Sequence, residues 1–189
     1  MRLFCVGRGT IREAVKILVS RNVLEIKRGK GTFVCENPGI IDDPLGFRYR
    51  AGKHKLISDL IDIRILLEPE IAALAAANAT QADIAGMRTL ALSINTLESG
   101  NRDYSNEDSK LHTLIAASSQ NMVMSNIVPI IHYGIELYNR VLDKYETATA
   151  LRLHTDIIDA IEAHDGDSAR AAMRAHLEFN KKNVSRFQI

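Results

Sequence analysis

Helical periodicity governs the chain after residue 55 and constrains its fold more than any other feature. Apolar residues recur there every three or four positions, a spacing typical of helices that bury one face. Six such segments follow one another, at residues 56–78, 81–97, 106–118, 122–145, 148–163 and 168–183. Short connections favour neighbouring helices that run in opposite directions. The sequence therefore predicts an all-α domain over residues 55–189, an antiparallel bundle of about six helices.

Two local signals refine this prediction. Pro69 lies inside the first segment, and because proline removes a helical donor and clashes with the preceding turn, it predicts a kink or a new helix there. His164, Asp165, Gly166 and Asp167 separate the last two segments. Gly166 suits the left-handed position after a helix, and Asp167 suits the N-cap of the next one.

Charge divides the chain into two opposite parts. Residues 1–35 contain eight basic and two acidic side chains, a net charge of +6, whereas the other 154 residues contain 16 basic and 21 acidic ones, a net charge of −5. The formal total of +1 therefore conceals a strongly basic N-terminal segment. Such a segment favours a nucleic-acid partner, which the total charge alone argues against.

A short basic helix followed by a hairpin is predicted within residues 1–35. Apolar residues recur at helical spacing between Thr10 and Arg21, and Arg8, Arg12 and Lys16 share another face. Two runs of β-formers, 23–26 and 32–34, then flank a turn with two glycines at 28–31. This order is typical of the second half of a winged helix-turn-helix, in which the helix enters the major groove. The alternative is an ordinary helix and hairpin with a solvated charged face.

Turn-forming residues are concentrated between these two parts. Residues 36–54 contain two prolines and three glycines, Pro38, Gly39, Pro44, Gly46 and Gly52, which is typical of a linker. We therefore predict a partial DNA-binding domain over residues 1–35, a linker over 36–54 and a helical ligand-binding domain over 55–189.

Three predicted helices each place histidine on the apolar side that should face the bundle interior. Asp108 and His112 are four residues apart on the stripe that includes Leu111 and Ile115, while His154 and His176 lie on the stripes of the last two helices. Burying an unpaired carboxylate is unfavourable by several kcal/mol, and one divalent cation would satisfy all four groups. Zn, Ni, Mn, Fe and Co all suit such nitrogen and oxygen ligands. The alternative is a set of core histidines paired with Asp108 or with the backbone.

The other three histidines are predicted to lie outside this cluster. His164 falls in a turn at a helix end and is expected to be exposed. His132 lies off the stripe of Ile127 and Ile131 and is expected on the outer face of its helix. His54 belongs to the predicted linker region.

Several motifs together resemble a known family. Residues 7–14 (GRGTIREA) and 28–34 (RGKGTFV) are similar to the recognition helix and wing of GntR-type transcription regulators. The remainder resembles the FCD effector domain of their FadR-like branch: Arg64 and Glu68 in the stretch RILLE, Asp108 with His112, then His154 and His176. The resemblance covers essentially the whole chain and is specific because the motifs occur in the right order.

The resemblance implies a bacterial, ligand-responsive regulator that acts as a homodimer on operator DNA. Its helical domain would bind a small carboxylic acid, such as a sugar acid, beside a divalent metal held by Asp108, His112, His154 and His176. Arg64 and Arg140 are candidates to bind the acid, and the alternative for each is an ordinary ion pair. The residues expected to contact DNA are Arg8, Thr10, Arg12, Lys30 and Gly31.

Two departures from the family pattern weaken the expectation of DNA binding. Gly7 and Gly9 replace a serine and a threonine that are usual before the recognition helix, so Thr10 is expected to cap it instead. The chain also begins at what resembles the end of the second helix of the DNA-binding domain, which leaves the helix-turn-helix incomplete. Leu18 and Val19 would then lose the surface that buries them, and we expect DNA binding to be weak or lost.

Two rival functions are a metal-dependent hydrolase and a pure metal sensor. Against an enzyme, no nucleophile elbow, phosphate loop or HExxH pattern occurs. No apolar run approaches the roughly 18 residues that a membrane span needs, and the two cysteines, Cys5 and Cys35, form no spacing motif. A cytoplasmic protein with no membrane partner is therefore expected.

Overall fold

The computed structural model describes residues 6–36, 38–39, 43–137 and 147–185. Two compact units make up the chain, Met1–Gly46 and Phe47–Ile189.

The described part of the first unit contains one helix and one hairpin. Helix α1 spans Arg8–Ser20, and strands β1 (Leu24–Lys27) and β2 (Gly31–Val34) pair antiparallel, with Leu24 opposite Val34 and Lys27 opposite Gly31. The predicted helix and hairpin of a partial winged helix-turn-helix are thus confirmed. None of the described residues of this unit is buried.

The predicted N-cap of α1 is wrong. The helix begins at Arg8, and Gly7, in an extended conformation, occupies the N-cap position without a side-chain hydrogen bond. Thr10 is the third helical residue, so its backbone is already helical and its hydroxyl does not cap the helix. The loss of a hydroxyl at position 7 is therefore not compensated by Thr10.

The described part of the second unit contains a 3₁₀ turn and six α-helices, which confirms the predicted all-α bundle. The turn is Phe47–Tyr49, and the helices are α2 (Lys53–Asn78), α3 (Gln81–Ser99), α4 (Ser105–Ser118), α5 (Met122–Glu136), α6 (Thr147–Glu162) and α7 (Gly166–Ser185). The last part of the predicted fifth helix, residues 138–145, lies outside the described residues. None of the described helices is long and apolar enough to cross a membrane.

Helix α2 lies at the centre of this unit, because it packs against α4, α5, α6 and α7. It runs through Pro69 as one helix of 26 residues, so the predicted alternative of a new helix at Pro69 is wrong. Pro69 is itself buried, and the surrounding helices offset the hydrogen bond that proline removes. Alanines of α2, among them Ala72, Ala75 and Ala76, are fully buried and let the neighbouring helices approach closely.

The turn between α6 and α7 is capped two residues earlier than the sequence predicts. His164, rather than Gly166, takes the left-handed conformation, with φ 56°. Asp165, rather than Asp167, is the cap: its carboxylate accepts from the backbone N of Ser168 at 3.0 Å and from the Ser168 hydroxyl at 2.7 Å. Gly166 instead lies against α2, where a Cβ would come within 3.4 Å of the carbonyl oxygen of Ala73, the near limit of ordinary van der Waals contact.

Candidate metal and effector site

Three helices bring the predicted metal ligands together inside the bundle. Helix α4 carries Asp108 and His112, α6 carries His154 and α7 carries His176, and one ligand atom from each lies within 4.8 Å of the others. The three histidines are at most 2% exposed, and the Asp108 side chain is 19% exposed. The helical stripes read from the sequence thus converge on one buried cluster.

Several nitrogens of this cluster have no hydrogen-bond partner among the described residues: His112 Nε2, both ring nitrogens of His154, and His176 Nδ1. The Oδ1 atom of Asp108 lies 2.9 Å from His154 Nε2, although without hydrogen-bond alignment, and 3.8 Å from His112 Nε2. The other nitrogen of His176, Nε2, lies 3.2 Å from Asn180 Nδ2 one turn further along α7. Buried polar atoms are normally satisfied, so these atoms indicate that the cluster binds something else.

The electrostatic environment keeps the aspartate ionised and a histidine neutral, the forms that metal binding requires. Burial by itself raises the pKa of Asp108, but the neighbouring His112 and His154 outweigh it and hold that pKa well below its usual range. Burial lowers the pKa of His176 well below its usual range, and the nearby His154 and His112 lower it further.

The donor set fits a divalent transition metal. One carboxylate oxygen and three imidazole nitrogens match the ligand types of Zn²⁺ and its neighbours. A metal would also satisfy the imidazole nitrogens that lack partners. These ligand types, and their distances from one another, suit Zn, Ni, Mn, Fe and Co alike.

A second group of charged and titratable side chains adjoins the first and shares His112 with it. Glu68 of α2, 2% exposed, lies at its centre. One oxygen, Oε2, is 2.5 Å from His112 Nδ1, while Oε1 is 2.6 Å from Arg64 Nε and 3.2 Å from His132 Nε2. A single buried carboxylate thus contacts two histidines and an arginine.

The contacts of Glu68 set the charges of this second group. Burial raises the pKa of Glu68, but the Arg64 guanidinium and the two histidines oppose it and hold that pKa well below its usual range. Burial and the charge of Arg64 lower the pKa of His132 to about 4. At neutral pH the group therefore consists of an ionised carboxylate, a charged guanidinium and a neutral His132.

The prediction that His132 lies on the outer face of its helix is wrong. His132 is 3% exposed, and the buried residues of α5 are Val128, Ile131, His132 and Gly134. The assumed stripe began at Ile127, which is 36% exposed, so the inner face was placed one residue too early. The i, i+4 spacing of Val128 and His132 is the signal that identifies the inner face.

Arg64, the first candidate for the effector, is buried at 4% exposure beside this cluster. Its Nε donates to Glu68, so the ion pair considered as an alternative does exist. However, its Nη2 has no hydrogen-bond partner among the described residues. Arg64 therefore retains an unused donor. Arg140, the second candidate, lies outside the described residues.

The residues expected to contact DNA are all exposed in the first unit. Arg8, Thr10 and Arg12 lie in the first turns of α1, Lys30 lies in the hairpin turn, and Gly31 begins β2 with φ 125°. The two remaining histidines are exposed as well: His164, as predicted, and His54, which lies in the first turn of α2. His164 still contacts the carbonyl oxygen of Ala76 through Nδ1, at 2.7 Å.

A basic helix with a hairpin wing is typical of a DNA-binding protein, and in this chain a helical bundle with a buried polar cluster follows it. Comparison with known families agrees. Residues 1–34 match the model of bacterial regulatory proteins of the gntR family, and residues 59–179 match that of the FCD domain. The chain belongs to the GntR family of transcription regulators and has an FCD domain.

Known relatives support this assignment. The chain is 34% identical to a solved structure described as Streptococcus agalactiae GntR, with a TM-score of 0.84 over 94% of this chain and 82% of that one. It is 28% identical to the HTH-type transcriptional regulator LutR of Bacillus subtilis, over 92% of this chain and 83% of the relative. It is also 28% identical to the galactonate operon transcriptional repressor of Escherichia coli, over 89% and 77% of the two chains. These relatives are regulators rather than enzymes.

Proposed function

We propose that this regulator senses a small carboxylic acid, which binds beside a divalent metal held by Asp108, His112, His154 and His176. The observation that carries the proposal is the set of buried polar atoms without partners among the described residues: imidazole nitrogens, and Nη2 of Arg64. The Arg64 guanidinium and His112 contact the same carboxylate, that of Glu68. A metal satisfies the nitrogens, and a carboxylate on the metal satisfies the guanidinium. Arginine is well suited to this role because its planar fork matches carboxylate geometry.

The sum of charges favours an anion once the metal is bound. Glu68 and Asp108 are ionised and Arg64 is positive, and imidazoles that bind a metal are neutral. With a divalent cation in place, these groups carry one net positive charge. A monocarboxylate then restores neutrality in a buried place, where an uncompensated charge is strongly unfavourable.

The chemical class of the acid is suggested by one of the relatives. A repressor of a galactonate operon is named for a sugar acid, and sugar acids carry hydroxyl groups that can also bind a metal. We propose a hydroxylated carboxylic acid for this chain. Its binding would favour one arrangement of the two DNA-binding units of a homodimer on operator DNA, which requires different affinities for the two arrangements.

Titration calorimetry tests the proposal. The protein is stripped of metal with a chelator and titrated with galactonate, lactate and acetate, before and after addition of one equivalent of Zn²⁺. We expect acid binding only with Zn²⁺, and weaker binding for acetate. Equal acid binding without metal would exclude the bridging role of the metal, whereas Zn²⁺ binding that no acid follows would indicate a metal sensor.

The matched variants are Arg64→Gln and Arg88→Gln. Arg64→Gln removes the free guanidinium donor and is expected to weaken acid binding by at least about tenfold, the loss of one charged hydrogen bond. Arg88 forms exposed ion pairs with Asp159 and Glu162, so Arg88→Gln is expected to leave acid binding unchanged. Equal affinities of the two variants for the acid would show that Arg64 does not bind it.

A further inference from the structure

We propose that Glu68 is a positioning residue that couples the metal to the bound acid, because its one carboxylate orients both the metal ligand His112 and the acid-binding Arg64. This inference rests on the proposed function and deepens it. The residues concerned are Arg64 and Glu68 on α2, His112 on α4 and His132 on α5.

The first part of the coupling is the orientation of His112. Glu68 Oε2 lies 2.5 Å from His112 Nδ1, and an ionised carboxylate accepts but does not donate. Nδ1 must then carry the proton, which leaves a lone pair on Nε2, the nitrogen without a partner that lies toward Asp108. A carboxylate that holds a histidine in the ligating tautomer is a known means of strengthening metal binding.

The second part is the orientation of Arg64. Its Nε donates to Oε1 of the same carboxylate over one helical turn, at 2.6 Å, and this contact leaves Nη2 as the free donor. His132 Nε2 lies 3.2 Å from Oε1 and helps to hold the carboxylate. Movement of Glu68 would therefore displace the metal ligand and the acid-binding donor together.

A second metal at Glu68, His112 and His132 is the competing interpretation, since their ligand atoms also lie within 4.8 Å of one another. The buried Arg64 argues against it, because its guanidinium already occupies Oε1 and carries a full positive charge next to the place where a second cation would bind. The geometry instead indicates a supporting shell for one metal.

Competition with a chromophoric chelator measures the effect of Glu68 with Zn²⁺ alone. We expect wild type to bind one Zn²⁺ and Glu68→Gln to bind it about 10- to 100-fold more weakly, the usual loss when a partner of a ligand is removed. Glu70→Gln is the matched control, two residues further along α2, where Glu70 is exposed and paired with Arg170. Its Zn²⁺ affinity should equal that of wild type.

Three other outcomes of the Zn²⁺ competition experiment would contradict the proposal in different ways. Equal affinity of Glu68→Gln and Glu70→Gln would overturn the positioning role while leaving the proposed metal site intact. Two Zn²⁺ per wild-type chain, with one lost in Glu68→Gln, would show that Glu68 is a ligand of a second metal. Failure of wild type to bind Zn²⁺ would overturn the proposed function and this inference together.

A measurement on the wild-type protein covers the case in which Glu68→Gln does not fold, because glutamine leaves the buried charge of Arg64 uncompensated. Long-range proton–nitrogen correlation spectra of the Zn²⁺-loaded protein report which ring nitrogen of each histidine carries a proton. We expect His112 to be protonated at Nδ1 and bound to Zn²⁺ through Nε2. The opposite assignment would overturn the proposal.

Discussion

The two units of this regulator treat their apolar side chains in opposite ways. In the first unit no described residue is buried, and Ile17, Ile26 and Val34 are more than half exposed. In the second unit a continuous core includes side chains from α2 to α7, and most of its members are at most 1% exposed. The difference shows that the described part of the sensing unit builds its own core, whereas the described part of the DNA-binding unit does not.

This difference in burial affects the stability of the helices and strands in each unit. A helix of 13 residues and a two-stranded hairpin are each marginal in water unless a packed apolar face supports them. Helices α2 to α7 provide such support for one another. We therefore expect the two units to differ in local stability.

Hydrogen exchange should show the largest contrast. Amides in the middle of α2 should open only with the unfolding of the whole unit, whereas those of α1 should open locally, because no buried contact holds the helix. We expect a difference in opening free energy of at least about 3 kcal/mol, measured by native-state exchange with mass spectrometry. Equal protection of α1 and α2 would contradict the contrast.

A pair of isoleucines tests the same contrast by truncation. Ile94 in α3 is 1% exposed and Ile17 in α1 is 53% exposed. Ile94→Ala should lower the free energy of unfolding by about 2–5 kcal/mol because it leaves a cavity, while Ile17→Ala should change it by less than about 1 kcal/mol. Urea unfolding followed by circular dichroism measures both. A large loss for Ile17→Ala would reveal a hidden core in the first unit.

A pair of glycines tests packing by enlargement. A Cβ at Gly134 in α5 would lie 2.7 Å from Phe47 Cδ2 and 2.8 Å from Leu60 Cδ1, whereas a Cβ at Gly9 in α1 would meet nothing within 4 Å. Gly134→Ala should therefore destabilise the protein by about 1–3 kcal/mol. Gly9→Ala should slow the exchange of α1 amides, because alanine favours helix by about 0.5–1 kcal/mol. We thus expect Gly134→Ala to lower stability and Gly9→Ala to raise the local stability of α1.

The smallest effect concerns the cap of α7. Asp165→Ala should lower the melting temperature by a few degrees and Asp167→Ala by less, because only Asp165 accepts from Ser168. The Ser168 hydrogen bonds lower the pKa of Asp165, so its contribution is present above the ordinary aspartate pKa of about 3.9 and is lost as the pH falls through the lower folded value. In thermal scans, the melting temperatures of wild type and Asp165→Ala should differ at neutral pH and become equal at acidic pH. A larger loss for Asp167→Ala would contradict the assigned cap.

The sequence places the four predicted metal ligands on the inner sides of their three helices, and their role as ligands stays a prediction. Asp108 and His112, His154, and His176 each share a stripe with apolar residues, and such stripes face a core in any bundle. The convergence of three stripes within 4.8 Å could not be calculated from one sequence, because it depends on helix order and rotation. Two arguments anticipate it: an unpaired Asp108 carboxylate is unfavourable in a core, and the chain resembles the FCD domain.

The supporting residues Glu68 and His132 are harder to predict, for a different reason in each of their helices, α2 and α5. Helix α2 is covered by four neighbouring helices, so apolar residues surround it and nothing marks Glu68 as facing the cluster. In α5 the predicted face of His132 depends on whether Ile127 or Val128 is taken as the inward-facing residue. The i, i+4 spacing of Val128 and His132 is the one signal that favours the inner face, and no comparable spacing marks Glu68. The cap at Asp165 is a similar case, since two aspartates two residues apart compete for it.

Anomalous scattering from a crystal grown with Zn²⁺ is the most direct test of the four-ligand metal site. We predict one peak per chain, about 2.0–2.2 Å from a carboxylate oxygen of Asp108 and from one nitrogen each of His112, His154 and His176, and no peak in crystals of His154→Ala. A peak between Glu68 and His132, or an undiminished peak in His154→Ala, would contradict it.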